Sequence, residues 1–334
     1  MHSTSIDGVP IVTALQIFTF LGGLGVFLYG IRTMSYELKK AAGVRFKIII
    51  EKLTKNVWLG VIVGAIFTGL IQSSGATTFI AIGLANAGVM TLKQSAGIIM
   101  GANIGTTVTA QIIRLGDIQS GAWYLLMLKP DVLAPLLFII GFTMVFAFRN
   151  RKINLMGKSL IGLGLLFFSM NMMGRSVSGL HNIAEIQYIF KQLENPIQGL
   201  LAGTSVTAVI HSSAAAIGVL QAISGTGLIS FSAAVPIIIG FNIGTCVTAI
   251  IASVGMEKTA RKVALINLYF NLMGAAVVMP AIYLVNRLFG VPFWYSAVDC
   301  GGIADFHTAY NIACVLIILP VVSLLVKLAD MSVR

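Results

Sequence analysis

The chain has 334 residues, of which 57% are hydrophobic and only 10% carry a charge, and its mean hydropathy is +0.94. Soluble domains carry roughly a quarter charged residues, so this composition excludes an ordinary soluble protein and indicates an integral membrane protein. The net charge of +11 does not indicate nucleic acid, because Lys and Arg collect on the cytoplasmic side of membrane proteins.

Apolar stretches suited to crossing a bilayer recur along the chain. A transmembrane helix needs about 20 apolar residues, and stretches near this length occur at 11–31, 133–148, 155–174, 263–286 and 306–326. The first stretch lacks the basic N-terminal region of a signal peptide, so we expect it to be a genuine span. The predicted fold class is an all-α, multi-pass integral membrane protein.

The sequence repeats itself with a shift of 139 residues and no gap. The first aligned block places Gly60, Gly64, Thr68, Ser73, Ser74 and Gly88 on Gly199, Gly203, Thr207, Ser212, Ser213 and Gly227. The second places Gly101, Asn103, Gly105, Thr106 and Thr109 on Gly240, Asn242, Gly244, Thr245 and Thr248. The shift also aligns Gly23 with Gly162. Self-similarity of this kind indicates two copies of one structural unit.

Each copy is predicted to contain a re-entrant helical hairpin and then a broken transmembrane helix. The hairpin at about 57–87 consists of two apolar halves that are each too short to cross the bilayer. The stretch at about 92–115 is long enough to cross, but its central glycines and Asn indicate a helix break that lines a cavity. The second copy has its hairpin at about 197–224 and its broken helix at about 229–254.

These elements predict two inverted-topology repeats, 1–150 and 151–290, and an additional C-terminal transmembrane helix within 291–334. Three crossings per copy is an odd number, which turns the second copy upside down, as in many secondary transporters. With the N-terminus outside and the C-terminus cytoplasmic, 17 of the 22 Lys and Arg residues lie on the cytoplasmic side, as the positive-inside rule requires. Segments 37–55 and 176–196 resemble interfacial helices, with solvated loops as the alternative.

The inversion is expected to bring the two hairpin turns together near the middle of the membrane. Half-helices that end there present unpaired N–H groups to an anion and unpaired carbonyl groups to a cation. All eleven Asp and Glu residues lie elsewhere, so the site is neutral and suits a multivalent oxyanion whose charge is compensated by sodium. The predicted substrate- and sodium-binding residues are Gln72, Ser73, Ser74, Gly75, Thr77, Thr78, Asn103, Thr106, Thr107, His211, Ser212, Ser213, Asn242 and Thr245. The alternative is that these small residues only permit close helix packing.

Two further pairs of polar residues stand out near the end of the chain. Asp305 and His307 lie near the start of the last span. One interpretation is that they form a gate or proton site, and the alternative for Asp305 is an N-cap at the outer interface. Asn267 and Asn271 share one helix face and are expected to tie spans together by hydrogen bonds. Cys300 is expected on the outer side of the membrane.

One motif resembles the QSSSATT signature of the type II sodium-phosphate cotransporter family, namely Gln72-Ser73-Ser74-Gly75-Ala76-Thr77-Thr78. The stretch 101–107 resembles the companion motif of that family, and the resemblance spans about 21–254. It implies sodium-coupled phosphate movement, binding of phosphate and sodium by the hairpin turns, and an elevator-like motion of the hairpins against a scaffold. The chain departs from the family pattern at Gly75, where a third Ser is usual, and at His211, where Gln is usual.

We therefore expect a secondary active transporter in the plasma (inner) membrane that couples sodium ions to the movement of inorganic phosphate. The expected partners are phosphate, sodium and the lipid bilayer, and a homodimer is left open. No cofactor, no metal besides sodium and no nucleic acid is expected. The alternatives are transport of another oxyanion or a dicarboxylate, phosphate export, a channel, or a membrane enzyme acting on phosphate esters. An enzyme would need an acid–base or nucleophile constellation, which the hairpins lack.

Overall fold

The computed structural model describes residues 5–6, 9–10, 14–42, 56–115, 129–178, 180 and 183–333. The elements of the first half are β1 (Ser5–Ile6), β2 (Val9–Pro10), α1 (Ala14–Ala42), α2 (Val57–Ile71), α3 (Ser74–Asn86), α4 (Leu92–Arg114) and α5 (Pro130–Ala147). The second half contains α6 (Arg151–Val177), α7 (Ala184–Gln192), α8 (Pro196–Ile210), α9 (Ser213–Ser224), α10 (Phe231–Ser253), α11 (Lys258–Phe289), α12 (Cys300–Ile318), a 3-10 helix (Leu319–Val321) and α13 (Val322–Ser332). The described elements are thus helices, apart from the antiparallel β1–β2 pair.

Six helical segments in the described part of the chain are long and apolar enough to cross a membrane. They are Ala14–Ala41, Leu92–Arg114, Arg151–Val177, Phe231–Ser253, Lys258–Phe289 and Cys300–Ser332. Large apolar side chains, among them Phe18, Phe146 and Phe289, are strongly exposed, and contact with lipid accounts for such exposed apolar surface. The structure confirms the prediction of a helical, multi-pass membrane protein.

The two copies of the sequence repeat fold into matching helices. α8 and α10 begin and end 139 residues after α2 and α4, and α9 begins 139 residues after α3. The same tight turn joins the two short helices of each copy.

Glycines allow α2 and α4 to pack with their backbones in contact. A Cβ atom on Gly97 would lie 2.4 Å from the carbonyl oxygen of Val57, and one on Gly101 would lie 2.0 Å from that of Val61. In the second copy, a Cβ on Gly240 would lie 2.3 Å from a carbonyl oxygen of α8. The contacts advance in the same direction along both helices, so α2 is parallel to α4.

The prediction of broken helices in the two copies is wrong. α4 and α10 are continuous α-helices through the motif that contains Asn103 and its equivalent Asn242. The Asn103 side chain donates a 2.9 Å hydrogen bond to the carbonyl of Ile99, one turn back in the same helix, and the helix continues past it. The central glycines serve the close approach of the neighbouring short helix, as small residues do in membrane proteins.

The short helices α2 and α3 form a hairpin. Gln72, which follows α2, accepts a hydrogen bond from Thr109 near the end of α4. α3 then ends at Asn86, shortly before α4 begins beside the start of α2. Because α2 and α4 are parallel, α3 must run back from one end of this pair to the other. The second copy has the same order of helices, with α8 and α9 as its hairpin.

α1, α5 and α6 pack together as an antiparallel bundle. A Cβ on either Gly30 or Gly162 would lie 2.8 Å from the carbonyl oxygen of the other residue, whereas Gly23 contacts Met173. The contact order therefore runs in opposite directions along α1 and α6. α5 packs on α6 in the same antiparallel manner, with Gly141 against the Gly157 carbonyl.

The two predicted interfacial segments, 37–55 and 176–196, are each described only in part. Segment 176–196 contains α7, which has no buried residue. Segment 37–55 is described as far as the end of α1 at Ala42, and its remainder lies outside the described residues.

Candidate functional site

The two hairpin turns meet at one cavity of about 390 Å³, called here the central cavity, against one face of α1. Its polar lining and the turn glycine are Arg32, Ser35, Gln72, Ser73, Ser74, Gly75, Thr106, Thr109, His211, Ser212, Ser213 and Thr245. Nine of the fourteen predicted residues are among them. The structure therefore brings together both hairpin turns, two threonines of α4 and one of α10.

Each turn consists of one left-handed residue and one capping serine. Gln72 has a φ of 55° and His211 has a φ of 59°, so two non-glycine residues occupy the left-handed region. Ser73 and Ser212 follow as N-caps, and the Oγ of each accepts a 3.2 Å hydrogen bond from a backbone N–H in the first turn of the next helix. This two-residue reversal places the start of the second short helix directly beside the end of the first.

The turns direct two helix N-termini at the central cavity. The capping serines satisfy one N–H group in α3 and one in α9, but the first two N–H groups of a helix have no acceptor inside it. These groups belong to Ser74 and Gly75 in α3 and to Ser213 and Ala214 in α9, and all four residues line the cavity. The positive ends of two helix dipoles therefore face the same space, an arrangement that binds anions.

Arg32 is the one charged side chain among the described residues that line the central cavity. It forms no ion pair with a described acid, and no described Asp or Glu belongs to the lining. Across the described residues there is also no cluster of three His, Cys, Asp or Glu that could hold a metal ion. The cavity thus attracts anions, and it offers a cation hydroxyl and carbonyl oxygens, the ligand type that hard cations prefer.

Hydrogen bonds fix the first turn against two other helices. The Oε1 atom of Gln72 accepts a 2.6 Å hydrogen bond from Thr109 in α4, and its amide nitrogen donates to the carbonyl of Gly69. The backbone carbonyl of Gln72 accepts a 3.2 Å bond from Ser35 in α1. Gln72 is 7% exposed, so its side chain chiefly positions the turn.

The structure does not place five of the predicted residues at the central cavity, namely Thr77, Thr78, Asn103, Thr107 and Asn242. Thr77 is fully buried, with its Oγ1 atom 2.6 Å from the Oγ1 of Thr68 in α2. Thr107 donates a 2.8 Å hydrogen bond to a carbonyl of its own helix and lines a separate, mostly apolar groove. Hydrogen bonds within the hairpin hold Thr77, and hydrogen bonds within α4 hold Asn103 and Thr107.

Asn242 belongs instead to a buried polar network between α10 and α12. Its amide nitrogen donates a 2.9 Å bond to Asn311, and its amide oxygen lies 3.3 Å from the Nε2 atom of His307. His307 is fully buried. Nearby, Asn271 of α11 donates to the carbonyl of Asn267 and to the sulfur of Cys246 in α10. The prediction that these residues tie helices together is confirmed for the Asn271 side chain, whereas Asn267 contacts α10 only through its backbone carbonyl, which accepts a hydrogen bond from Cys246.

Asp305 is not the N-cap of the last span. α12 begins at Cys300, and Asp299 caps it by accepting a 2.6 Å hydrogen bond from the N–H of Gly302. Asp305 lies inside the helix and forms an ion pair with Arg114 at the end of α4. This ion pair links α12 to α4, and the gating role of Asp305 stays a prediction.

Three polar residues of the central cavity are absent from the predicted set: Arg32, Ser35 and Thr109. The positive-inside argument accounts for Arg32 by topology alone, yet a charged residue within an apolar span is itself a functional signal. Thr109 lies one turn after Thr106 on the same helix face, so helical periodicity points to it. Ser35 carries no comparable signal.

Comparison with known proteins supports a family assignment. The family model described as "Na+/Pi-cotransporter" matches residues 26–175 and 178–294. The chain is 29% identical over 324 residues to "Uncharacterized protein YqeW" of Bacillus subtilis (strain 168), which covers 96% of this chain and 97% of that relative. It is 25% identical over 321 residues to "Putative inorganic phosphate export protein YjbB" of Escherichia coli (strain K12). This match covers 96% of the present chain and 56% of the relative.

A shorter match reaches a mammalian protein. The chain is 36% identical over 101 residues to "Sodium-dependent phosphate transport protein 2A" of Oryctolagus cuniculus, which covers 28% of this chain and 16% of that relative. No solved structure matches the chain. The family model spans both hairpin turns and most of the sequence. The chain therefore belongs to the Na+/Pi-cotransporter family.

Proposed function

We propose that this protein is a secondary active transporter that couples sodium ions to the movement of inorganic phosphate across the plasma membrane. The observation that carries the proposal is the convergence of two helix N-termini, one from each copy of the repeat, on one cavity. Membership of a family of phosphate transporters supports the same substrate. The described part of the cavity holds no acid that would repel an oxyanion.

A phosphate dianion suits the charge of the central cavity. Its oxygens can accept hydrogen bonds from the four backbone N–H groups at the two helix N-termini, from the Arg32 guanidinium and from the serine hydroxyls. The volume of about 390 Å³ leaves room for sodium ions on the remaining hydroxyl and carbonyl oxygens. A bound phosphate lowers the electrostatic cost of placing sodium near Arg32, because its negative charge attracts the sodium ion. Bound sodium in turn attracts phosphate and so strengthens phosphate binding. This mutual effect is a coupling free energy between the two ligands.

The two copies are proposed to have opposite orientations in the membrane, with re-entrant hairpins entering from opposite sides. The hairpin helices of 15, 13, 15 and 12 residues are shorter than a span, yet their turns share one cavity. The equivalent helices α1 and α6 run antiparallel, as inversion requires. Lys40 at the end of α1 and Arg151 at the start of α6 then lie on one side, proposed to be cytoplasmic.

The direction of transport is proposed to follow the gradients, because a site that opens to each side in turn works both ways. The name of the Escherichia coli relative YjbB refers to phosphate export, and the name of the Oryctolagus cuniculus relative refers to sodium-dependent phosphate transport. Import and export are therefore two outcomes of one experiment rather than two mechanisms.

The test is radiolabelled phosphate flux in proteoliposomes that contain the purified protein. We expect flux that increases with an imposed sodium gradient and reverses when the gradient is reversed. Unlabelled phosphate should compete fully, whereas sulfate and dicarboxylates should not. Absence of phosphate flux in both directions, with and without sodium, would contradict the proposal. Full competition by sulfate or a dicarboxylate would assign the site to that anion instead.

A further inference from the structure

A second cavity of about 580 Å³ lies between α1 and α6, and Arg32 lines both this cavity and the central one. We call it the side cavity. It extends along α1 from Tyr29 to Glu37, and Lys158 of α6 also lines it. Neither Arg32 nor Lys158 forms an ion pair with a described acid. The side cavity thus presents two unpaired positive charges next to the central cavity.

The side cavity also contains an unusual carboxylate. Glu37 lines it and is 9% exposed, and the Oε2 atom of Glu37 is buried without a hydrogen-bond partner among the described residues. A buried carboxylate oxygen without a partner is costly, and the absence of an ion pair to either cation means that they do not satisfy it directly. The side cavity therefore suits a ligand that carries both charges. A positive group would pair with Glu37, and a negative group would pair with Arg32 and Lys158.

The remaining walls are amphipathic. Tyr29 and Tyr36 are largely exposed, and Leu165 provides an apolar surface across from them. Tyrosine commonly lies at the boundary between lipid and water, and basic pockets between transmembrane helices bind phosphate groups. These walls admit a ligand from the aqueous side or from the lipid.

We propose that the side cavity binds a phosphate group accompanied by a monovalent cation, with Arg32 and Lys158 on the phosphate oxygens and Glu37 on the cation. Two sources share this chemistry. One is phosphate with sodium on its way to or from the central cavity, a form that rests on the proposed function. The other is the headgroup of an ethanolamine phospholipid, whose phosphate and ammonium groups carry the same pair of charges.

The test uses Lys158→Gln and Glu37→Gln, with Lys152→Gln as the matched control, because Lys152 is an exposed lysine of α6 outside the cavity. Phosphate transport is measured in right-side-out and inside-out vesicles. For the free-ion source, Lys158→Gln should raise the apparent KM by about fivefold on the side where α1 ends, a loss expected for one partly exposed charged contact. The KM on the other side and kcat should not change. Glu37→Gln should weaken the dependence of that same KM on sodium.

The lipid source is tested by mass spectrometry of phospholipid bound to the purified protein. If a headgroup occupies the cavity, the parent and Lys152→Gln retain an ethanolamine phospholipid that Lys158→Gln and Glu37→Gln both lose, without a sided change in KM. The inference is overturned if neither variant changes the sided KM or the bound lipid. A parent protein that transports no phosphate contradicts the proposed function, and the lipid measurement then decides this inference alone.

Discussion

Replacing Gly101 by alanine should force α2 and α4 apart. The new Cβ would lie 2.0 Å from the carbonyl oxygen of Val61 and 2.8 Å from the backbone nitrogen of Ala65, and both neighbours are main-chain atoms that no rotamer change can move. Ordinary contact begins near 3.4 Å, so the helices must separate by about 1.4 Å at this point. Overpacking of this kind costs about 1–3 kcal/mol and occasionally more.

The same separation should reach the central cavity. Thr109, two turns after Gly101 on α4, holds Gln72 through a 2.6 Å hydrogen bond, and a shift of this size would lengthen it to about 4 Å, beyond hydrogen-bonding range. Gly101→Ala should therefore lower both thermal stability and phosphate transport. A loss of about 1–3 kcal/mol of stability should lower the melting temperature by several degrees, because 1 kcal/mol shifts it by roughly 2–4 °C in chains of 150–250 residues.

The three cysteines of the chain, Cys246, Cys300 and Cys314, are all buried, so a thiol-reactive fluorescent dye reports unfolding in detergent. The matched control is Gly83→Ala in α3, where a Cβ would meet nothing within 4 Å and where alanine is the better helix former. Gly83→Ala should melt no lower than the parent. If Gly101→Ala melts with the parent and transports normally, the backbone contact between α2 and α4 does not hold the hairpin as argued.

Ser73→Ala and Ser212→Ala each remove an N-cap. Each should lower the stability measured in the thiol-dye assay by about 1 kcal/mol and should raise the KM for phosphate. Unchanged melting would contradict the capping role. Gly75→Ser should fold normally, because a Cβ there meets nothing within 4 Å, and should tighten sodium binding in flux assays by adding one hydroxyl; a lower sodium affinity would show that the third serine has no place here. The proposed orientation can be tested by introducing a cysteine at Ser296, which is exposed, because Cys300 itself is buried. The new cysteine should react with a membrane-impermeant thiol reagent from outside, and reaction from the cytoplasmic side alone would overturn the proposed orientation.

The repeat made the hairpin turns predictable because a gapless alignment carries local geometry with it. Ser73 and Ser212 fall at the same position of the same turn, and both prove to be N-caps. The supposed helix break at Gly101 could not be resolved in this way. A glycine that lets another backbone approach and a glycine that ends a helix look alike in sequence, and only the neighbouring helix distinguishes them.

Which polar side chains reach the cavity was harder to predict, because the answer depends on how each helix is rotated in the packed protein. Thr106 and Thr107 are adjacent in α4, yet Thr106 lines the central cavity and Thr107 faces a separate groove. Arg32 reaches the cavity from a helix outside the aligned hairpin motifs. Contacts between elements distant in sequence carry no local pattern.

The left-handed conformation of Gln72 and His211 implies a conflict between the stability and the activity of the protein. Glycine adopts this backbone conformation without penalty, whereas Gln72 and His211 hold it at a cost of order 1–2 kcal/mol each. Selection for a heat-resistant protein alone would favour glycine at both places, and such a variant would lose the Gln72 amide that holds the first turn to α4 and the His211 side chain that lines the cavity. The chain accepts a weaker backbone at two points in order to keep an amide and an imidazole there, so these are the positions where stability engineering would damage the protein first.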